Sequence, residues 1–383
     1  MEIYFDNAAT TRLGKAAAEI ADRVAREDYG NPSSLHLAGV RAEAAVRTAA
    51  EQIAKTLKAE PAELIFTSGG TESDNLAILG TARGRKGYGR HLITSAVEHP
   101  AVLESMRFLE EQGFTLTVLP VDASGKISLA ALEAAIRKDT ILVSLMYVNN
   151  EIGAIQPIAE AAVLIHRLNP DCYFHVDAVQ AYGKFELYPK RLGIDMMSVS
   201  SHKIEGPKGV GFLYVNRRVS LKPASFGGGQ QGGLRSGTLN VPGIAGMAEA
   251  ARAAYEDFEA KRERLLRVKN RIIAGATELP GVRANSAPGM DSAPQILSLS
   301  VEGVRAEVLL HALEAEGVYV SSGSACSSNH PGISATLKGI GLPAKLLDST
   351  VRLSFSAENT EEEAERFLEL FRQTVPKLRQ FKR

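Results

Sequence analysis

The chain has 383 residues with 44 Lys+Arg against 44 Asp+Glu, so its formal charge is zero and it lacks the basic excess of a protein built around a nucleic-acid surface. At 45% hydrophobic and 23% charged it reads as an ordinary soluble globular protein long enough for two domains, and its two cysteines exclude a disulfide framework. No run approaches 18 apolar residues, and MEIYFDNAATT has neither a basic n-region nor an apolar h-region, so the expectation is a reducing cytoplasm, no membrane span and no signal peptide.

Taken in chain order, short β-branched runs predict strands at 63–68, 91–96, 115–120, 141–148, 173–178, 195–201 and 210–215. Helical stretches at 75–83, 100–112, 128–137 and 157–168 separate most of them. Runs apolar on both faces and divided by helices predict an α/β fold with a buried, mostly parallel, seven-stranded sheet. The Gly-rich 227-GGGQQGG-233 breaks the pattern, and one charged helix over about 243–277 is expected after it. Strand 295–301, helix 305–316, strand 317–322, helix 333–341, strand 351–356 and helix 360–380 then predict a smaller α+β domain. The basic 371-FRQTVPKLRQFKR-383 reads as a solvated helix end.

The chemistry gathers at strand ends, where open α/β sheets bind ligands. In 198-SVSSHKIEGPKGVG-211 a strand closes on Ser200, His202 and Lys203, and a lysine there suits a Schiff base with a carbonyl cofactor. In 69-GGTESDN-75 small residues open a helix, which makes an anion site without a Walker lysine. In 173-YFHVDAVQ-180 Asp177 ends an apolar strand, a costly place for a carboxylate unless a cation such as a protonated pyridine nitrogen meets it. The 149-NNEIG-153 cluster adds polar groups for a carboxylate or a ring oxygen. A phosphate cradle, an acid for a ring nitrogen and an amine for a carbonyl together specify pyridoxal 5'-phosphate. No cysteine or histidine spacing matches a metal site.

A thiol, Cys326, sits in 321-SSGSACSSNHPG-332, where five serines and two glycines offer nothing apolar to bury. A Gly/Ser segment of this kind is expected to be mobile, so the thiol is read as one that travels. Cys172 precedes an apolar strand and reads as structural, His175 as a packed strand residue, and His36 as the start of a helix near the site.

These motifs, TSGGTESDN, EHPAV, VNNEIG, HVDAVQ, SSHKIEGPKGVG, LRSGT and SSGSACSS, span nearly the whole chain, which resembles the NifS/IscS-type cysteine desulfurases of the class V aminotransferase superfamily. The resemblance implies a fold type I enzyme that converts L-cysteine to L-alanine and passes sulfur to a partner such as an iron–sulfur scaffold or a thiolation protein. It implies a Schiff-base role for Lys203, ring stacking and proton movement for His99, and a pyridine-nitrogen partner in Asp177. Gln180 would donate to the ring hydroxyl, and Gly70, Thr71, Ser200 and His202 would contact phosphate. Thr238 would reach a second subunit's phosphate, implying a homodimer, and Asn150 and Arg352 would meet the substrate carboxylate. Cys326 would be the nucleophile that carries a persulfide. Residues 13–255 are expected to form the cofactor domain, and 1–12 with 256–383 the small domain carrying the cysteine loop at about 321–332. One departure stands out: Gln231 and Gly232 replace a usual Glu-Arg pair, which bears on the cross-subunit loop. Another pyridoxal-phosphate reaction, such as selenocysteine cleavage, and a non-catalytic assembly subunit are the competing readings. Transamination needs no travelling thiol, and a non-catalytic subunit needs none of Lys203, Asp177 and Cys326.

Overall fold

The computed structural model describes residues 2–322 and 334–380. Its central sheet has seven strands in the order Leu64–Thr67, Gly211–Val215, Met196–Ser200, Tyr173–Asp177, Thr140–Met146, His91–Ser95, Thr115–Leu119. Only Gly211–Val215 runs against the others. Five of these strands are buried along their whole length, because helices cover both faces, and this explains their unbroken apolar runs. The expected α/β architecture is therefore present.

A second, antiparallel sheet has the order Ser321–Ser322, Thr350–Ser354, Ile296–Val301, Val282–Ala284. It packs with helices Phe258–Ala276, Ala306–Glu314 and Glu361–Gln380 around a core that includes Phe5, Phe355, Phe367 and Phe371. The N-terminal segment ties the two sheets together. Ile3–Tyr4 pairs with Val318–Tyr319, and the N–H groups of Asn7 and Ala8 donate to the Ser354 carbonyl (3.2 Å) and hydroxyl (2.8 Å). The Thr11 N–H then donates to the His202 carbonyl at 2.9 Å.

Two expectations need correction, and one strand was not expected. The helix expected over 243–277 is two, Val241–Tyr255 and Phe258–Ala276, because Asp257 takes a left-handed conformation (φ 49°) between them. The strand expected at 317–322 divides, its first half pairing with the N-terminus and its second with Thr350–Ser354. The strand Val282–Ala284 is too short to show a period.

Candidate active site

Four strand ends converge on one cavity of about 170 Å³. Strand Leu64–Thr67 turns through Gly69, whose φ of 149° suits glycine, into helix Gly70–Gly84. A side chain on Gly70 would lie 2.7 Å from a Val179 methyl, so close packing also requires glycine there. Strand Tyr173–Asp177 delivers Asp177, strand Met196–Ser200 delivers Ser200, and the turn Ser201–Lys203 adds His202 and Lys203. Asn150 follows strand Thr140–Met146, and His99 caps helix Pro100–Glu111. Gly70, Thr71, His99, Asn150, Asp177, Gln180, Ser200, His202 and Lys203 all line this cavity.

Hydrogen bonds fix the orientation of these groups. The Lys203 ammonium donates to the carbonyls of Ala8 (2.7 Å) and Ala9 (2.6 Å), and Lys184 donates to the Lys203 carbonyl. Gln180 Nε2 donates to the Ala8 carbonyl at 3.0 Å. His99 Nδ1 accepts the Ala101 N–H at 3.1 Å, so in the neutral ring the proton is on Nε2. Burial holds His99 below its usual range, with Lys203 adding to the effect and Asp177 opposing it. Burial also drives His202 down to about 4, aided by Lys203, Lys208 and Lys184. Asp177 is buried and shifted up by desolvation, although His99, the Val179 N–H and Lys203 pull it back. A buried carboxyl of this kind is completed by a cation.

Arg352 stands one residue behind the cavity wall. It is fully buried on strand Thr350–Ser354, donating to Asp6 Oδ1 (2.7 Å) and to the Asn150 carbonyl (3.1 Å), while its Nε has no partner among the described residues. Thr238 is exposed and does not line the cavity. Cys326 lies outside the described residues, but both flanks of its segment are near the site. Ser321 pairs with Arg352, and Ser334, the cap of helix Ala335–Gly339, donates to Glu151 at 2.5 Å.

Other sequence expectations resolve as follows. The Gln231 amide pairs with the N–H (2.6 Å) and carbonyl (2.7 Å) of Phe66, closing the edge of the central sheet within its own chain. Arg235 bridges instead to Glu72 at 2.9 Å. Cys172 is buried and its thiol is pushed up to about 12 by desolvation, so it stays an inert thiol. His36 does not line the cavity; its ring accepts the Gly39 N–H at 3.3 Å and caps helix Leu37–Leu57.

Sequence reading missed two buried acids, Asp74 and Glu98. Both belong to motifs already singled out, and a carboxylate immediately beside a cofactor motif is the signal that would have found them. Burial raises Glu98 to about 8, with Asp177 adding to the shift against hydrogen bonds from Ser95 and Met146. A raised carboxyl contributes stability that is complete below its unfolded value, near 4.3, and is lost as pH rises through 8. Wild-type stability should therefore fall relative to Glu98→Gln between about pH 4.3 and 8 and then level off, as read by chemical denaturation across pH.

Residues 3–367 match the model of the aminotransferase class-V family. The chain belongs to the class-V aminotransferase family. Among its relatives in that family, a NifS/IcsS protein homolog of Lactobacillus delbrueckii subsp. bulgaricus is 45% identical, with 96% of each chain covered. The cysteine desulfurase IscS of Methanosarcina thermophila is 42% identical over 98% of this chain and 93% of the relative. A solved NifS-like protein superposes with a TM-score of 0.93 at 37% identity, covering 99% of this chain and 100% of the other. The fold of this class-V member is thus the one its relatives share, and pyridoxal 5'-phosphate is the cofactor of the family.

Proposed function

We infer that the chain is a pyridoxal-phosphate-dependent cysteine desulfurase, converting L-cysteine to L-alanine and carrying the removed sulfur on Cys326 as a persulfide. The observation that carries this reading is the meeting of Lys203, the buried Asp177 and a helix N-terminus in one cavity. These residues fit the cofactor. The Gly70–Thr71 helix start, Ser200 and His202 would hold its phosphate, Asp177 its ring nitrogen, Gln180 its ring hydroxyl and His99 its ring face, with Lys203 at its aldehyde. When bound, the cofactor supplies an electron sink for carbanion chemistry at the substrate α-carbon.

The protein's own groups supply the rest. Lys203, as a free amine, removes the α-proton. The guanidinium of Arg352, steadied by Asp6, and the amide of Asn150 orient the substrate carboxylate. His99 moves protons through Nε2. The Cys326 thiolate attacks the substrate sulfur: a sulfur–sulfur bond forms, the carbon–sulfur bond breaks, and its electron pair stays on carbon, which takes a proton to become alanine. At its unperturbed value near 8.5, only a few per cent of a thiol is thiolate at neutral pH, so a nearby base would speed this step.

The same reading divides the chain into 13–255, holding the cofactor, and 1–12 with 256–383. It makes the enzyme a homodimer in which Thr238 contacts the other subunit's phosphate, which its exposure in its own chain supports. Among the described residues no helix is long and apolar enough to cross a membrane. The reading places the enzyme in a reducing cytoplasm, where Cys326 is kept as a thiol between turnovers and its persulfide passes sulfur to an iron–sulfur scaffold or thiolation protein.

The deciding experiment incubates cofactor-loaded protein with L-cysteine and a reductant and measures alanine and sulfide. Equimolar products support the reading; no alanine refutes it. Arg352→Lys, which loses the planar fork, should raise KM for L-cysteine by about tenfold or more, or about 1.4 kcal/mol, with the absorbance of the bound cofactor unchanged.

A further inference from the structure

We propose that Asp74 and Glu98 are positioning residues that stand as neutral, protonated acids beside Asp177, so that Asp177 is the one anion presented to the ring nitrogen. The proposal rests on the cofactor reading above and deepens it.

Three carboxyls are buried around this cavity, on three different elements. Asp74 is on helix Gly70–Gly84, Glu98 is in the turn after strand His91–Ser95, and Asp177 ends its own strand. Asp74 lines the cavity, and its Oδ1 has no hydrogen-bond partner among the described residues. The ring Nε2 of His175 lies 3.6 Å from that oxygen. That ring is held between two neutral hydroxyls, Ser144 at 2.8 Å and Ser198 at 2.9 Å. Its full burial keeps it uncharged, down to about 3. Burial raises Asp74, with the acids Asp177 and Glu98 adding to the shift and the Ser198 hydroxyl opposing it.

Glu98 has the same character. Its Oε1 accepts the Ser95 hydroxyl, and Oε2 has no partner among the described residues. Two basic groups, Lys203 and the His99 ring, act on Asp177. Asp74 and Glu98 instead feel Asp177 as a like charge. Burial without a cation favours the neutral acid, and a neighbouring anion favours it further. The arrangement separates three identical functional groups into one ion and two neutral acids. It keeps excess negative charge away from a substrate that arrives as a carboxylate.

The test has one arm without cofactor and one with it. In the cofactor-free full chain at pH 7, infrared difference spectra of wild type against Asp74→Asn and Glu98→Gln should each show loss of a protonated-carboxyl C=O band. Spectra without that loss, showing a carboxylate band instead, would overturn the proposal. Should a variant not fold, wild type labelled with ¹³C-carboxyl Asp or Glu assigns the band by residue type.

In the holoenzyme, pH titration of the bound cofactor's absorbance should move by less than about half a unit in either variant. A downward shift of about 1–3 units, as expected when a nearby anion is removed, would overturn the proposal and is the result expected for Asp177→Asn. Failure of all variants and wild type to bind the cofactor would refute the cofactor reading, while the infrared arm still decides the protonation states.

Discussion

Replacing Lys203 with alanine lowers alanine production from L-cysteine by about 10²–10⁴-fold, the range that a positioned acid–base group contributes. The Lys203 amine is well placed for this role. It comes at the end of the strand Met196–Ser200 and its turn, and lines the same cavity as Asp177 and His99. Its two bonds to the carbonyls of Ala8 and Ala9 hold it on the N-terminal side of that cavity. The variant keeps Gly70, Thr71, Ser200 and His202, so the phosphate cradle survives and the cofactor should still associate, with an altered absorbance spectrum. Partial rescue by an added small amine would identify the missing group as a base. Unchanged turnover would remove Lys203 from the mechanism.

The second large effect is expected at Cys326. Cys326→Ala should lower alanine production by about 10²-fold or more, since an activated nucleophile has no substitute there. The spectral change caused by L-cysteine binding should persist, because the groups proposed to hold cofactor and substrate are untouched. Radiolabelled sulfur from L-cysteine should stay on wild-type protein and not on the variant. Cys172→Ala is the control. Its thiol is sealed under strand Tyr173–Asp177, so sulfur transfer should continue while stability falls by about 1 kcal/mol. Label on Cys172, or equal alanine from Cys326→Ala, would overturn the assignment.

The central sheet was legible because five of its strands are buried along their whole length and cannot be confused with half-exposed ones. Residues at strand ends were legible for a related reason: a lysine or aspartate directly after an apolar run has few structural explanations. Asp257 was invisible, since 251-ARAAYEDFEAKRERLL-266 keeps helical composition through the point where the backbone turns left-handed. The division at Val320 was equally hidden, because the two halves pair with different strands, the first with Ile3–Tyr4 at the far end of the sequence and the second with Thr350–Ser354. Asp74 and Glu98 look like ordinary helix-start and turn acids; only the fold shows that both point inward. Gln231 departs from the family pattern, yet its amide takes over an edge-strand pairing that sequence alone does not reveal.

The N-terminal segment imposes an order of assembly. The bonds from Asn7 and Ala8 to Ser354 join residues 347 and 346 positions apart, so this part of the site must wait for a strand synthesised much later. Ala8 and Ala9, whose carbonyls seat the Lys203 amine, are fixed by that late contact. Contacts of such separation form slowly and after local structure. A nascent chain therefore carries its reactive lysine before the contact that fixes Ala8 and Ala9 can form.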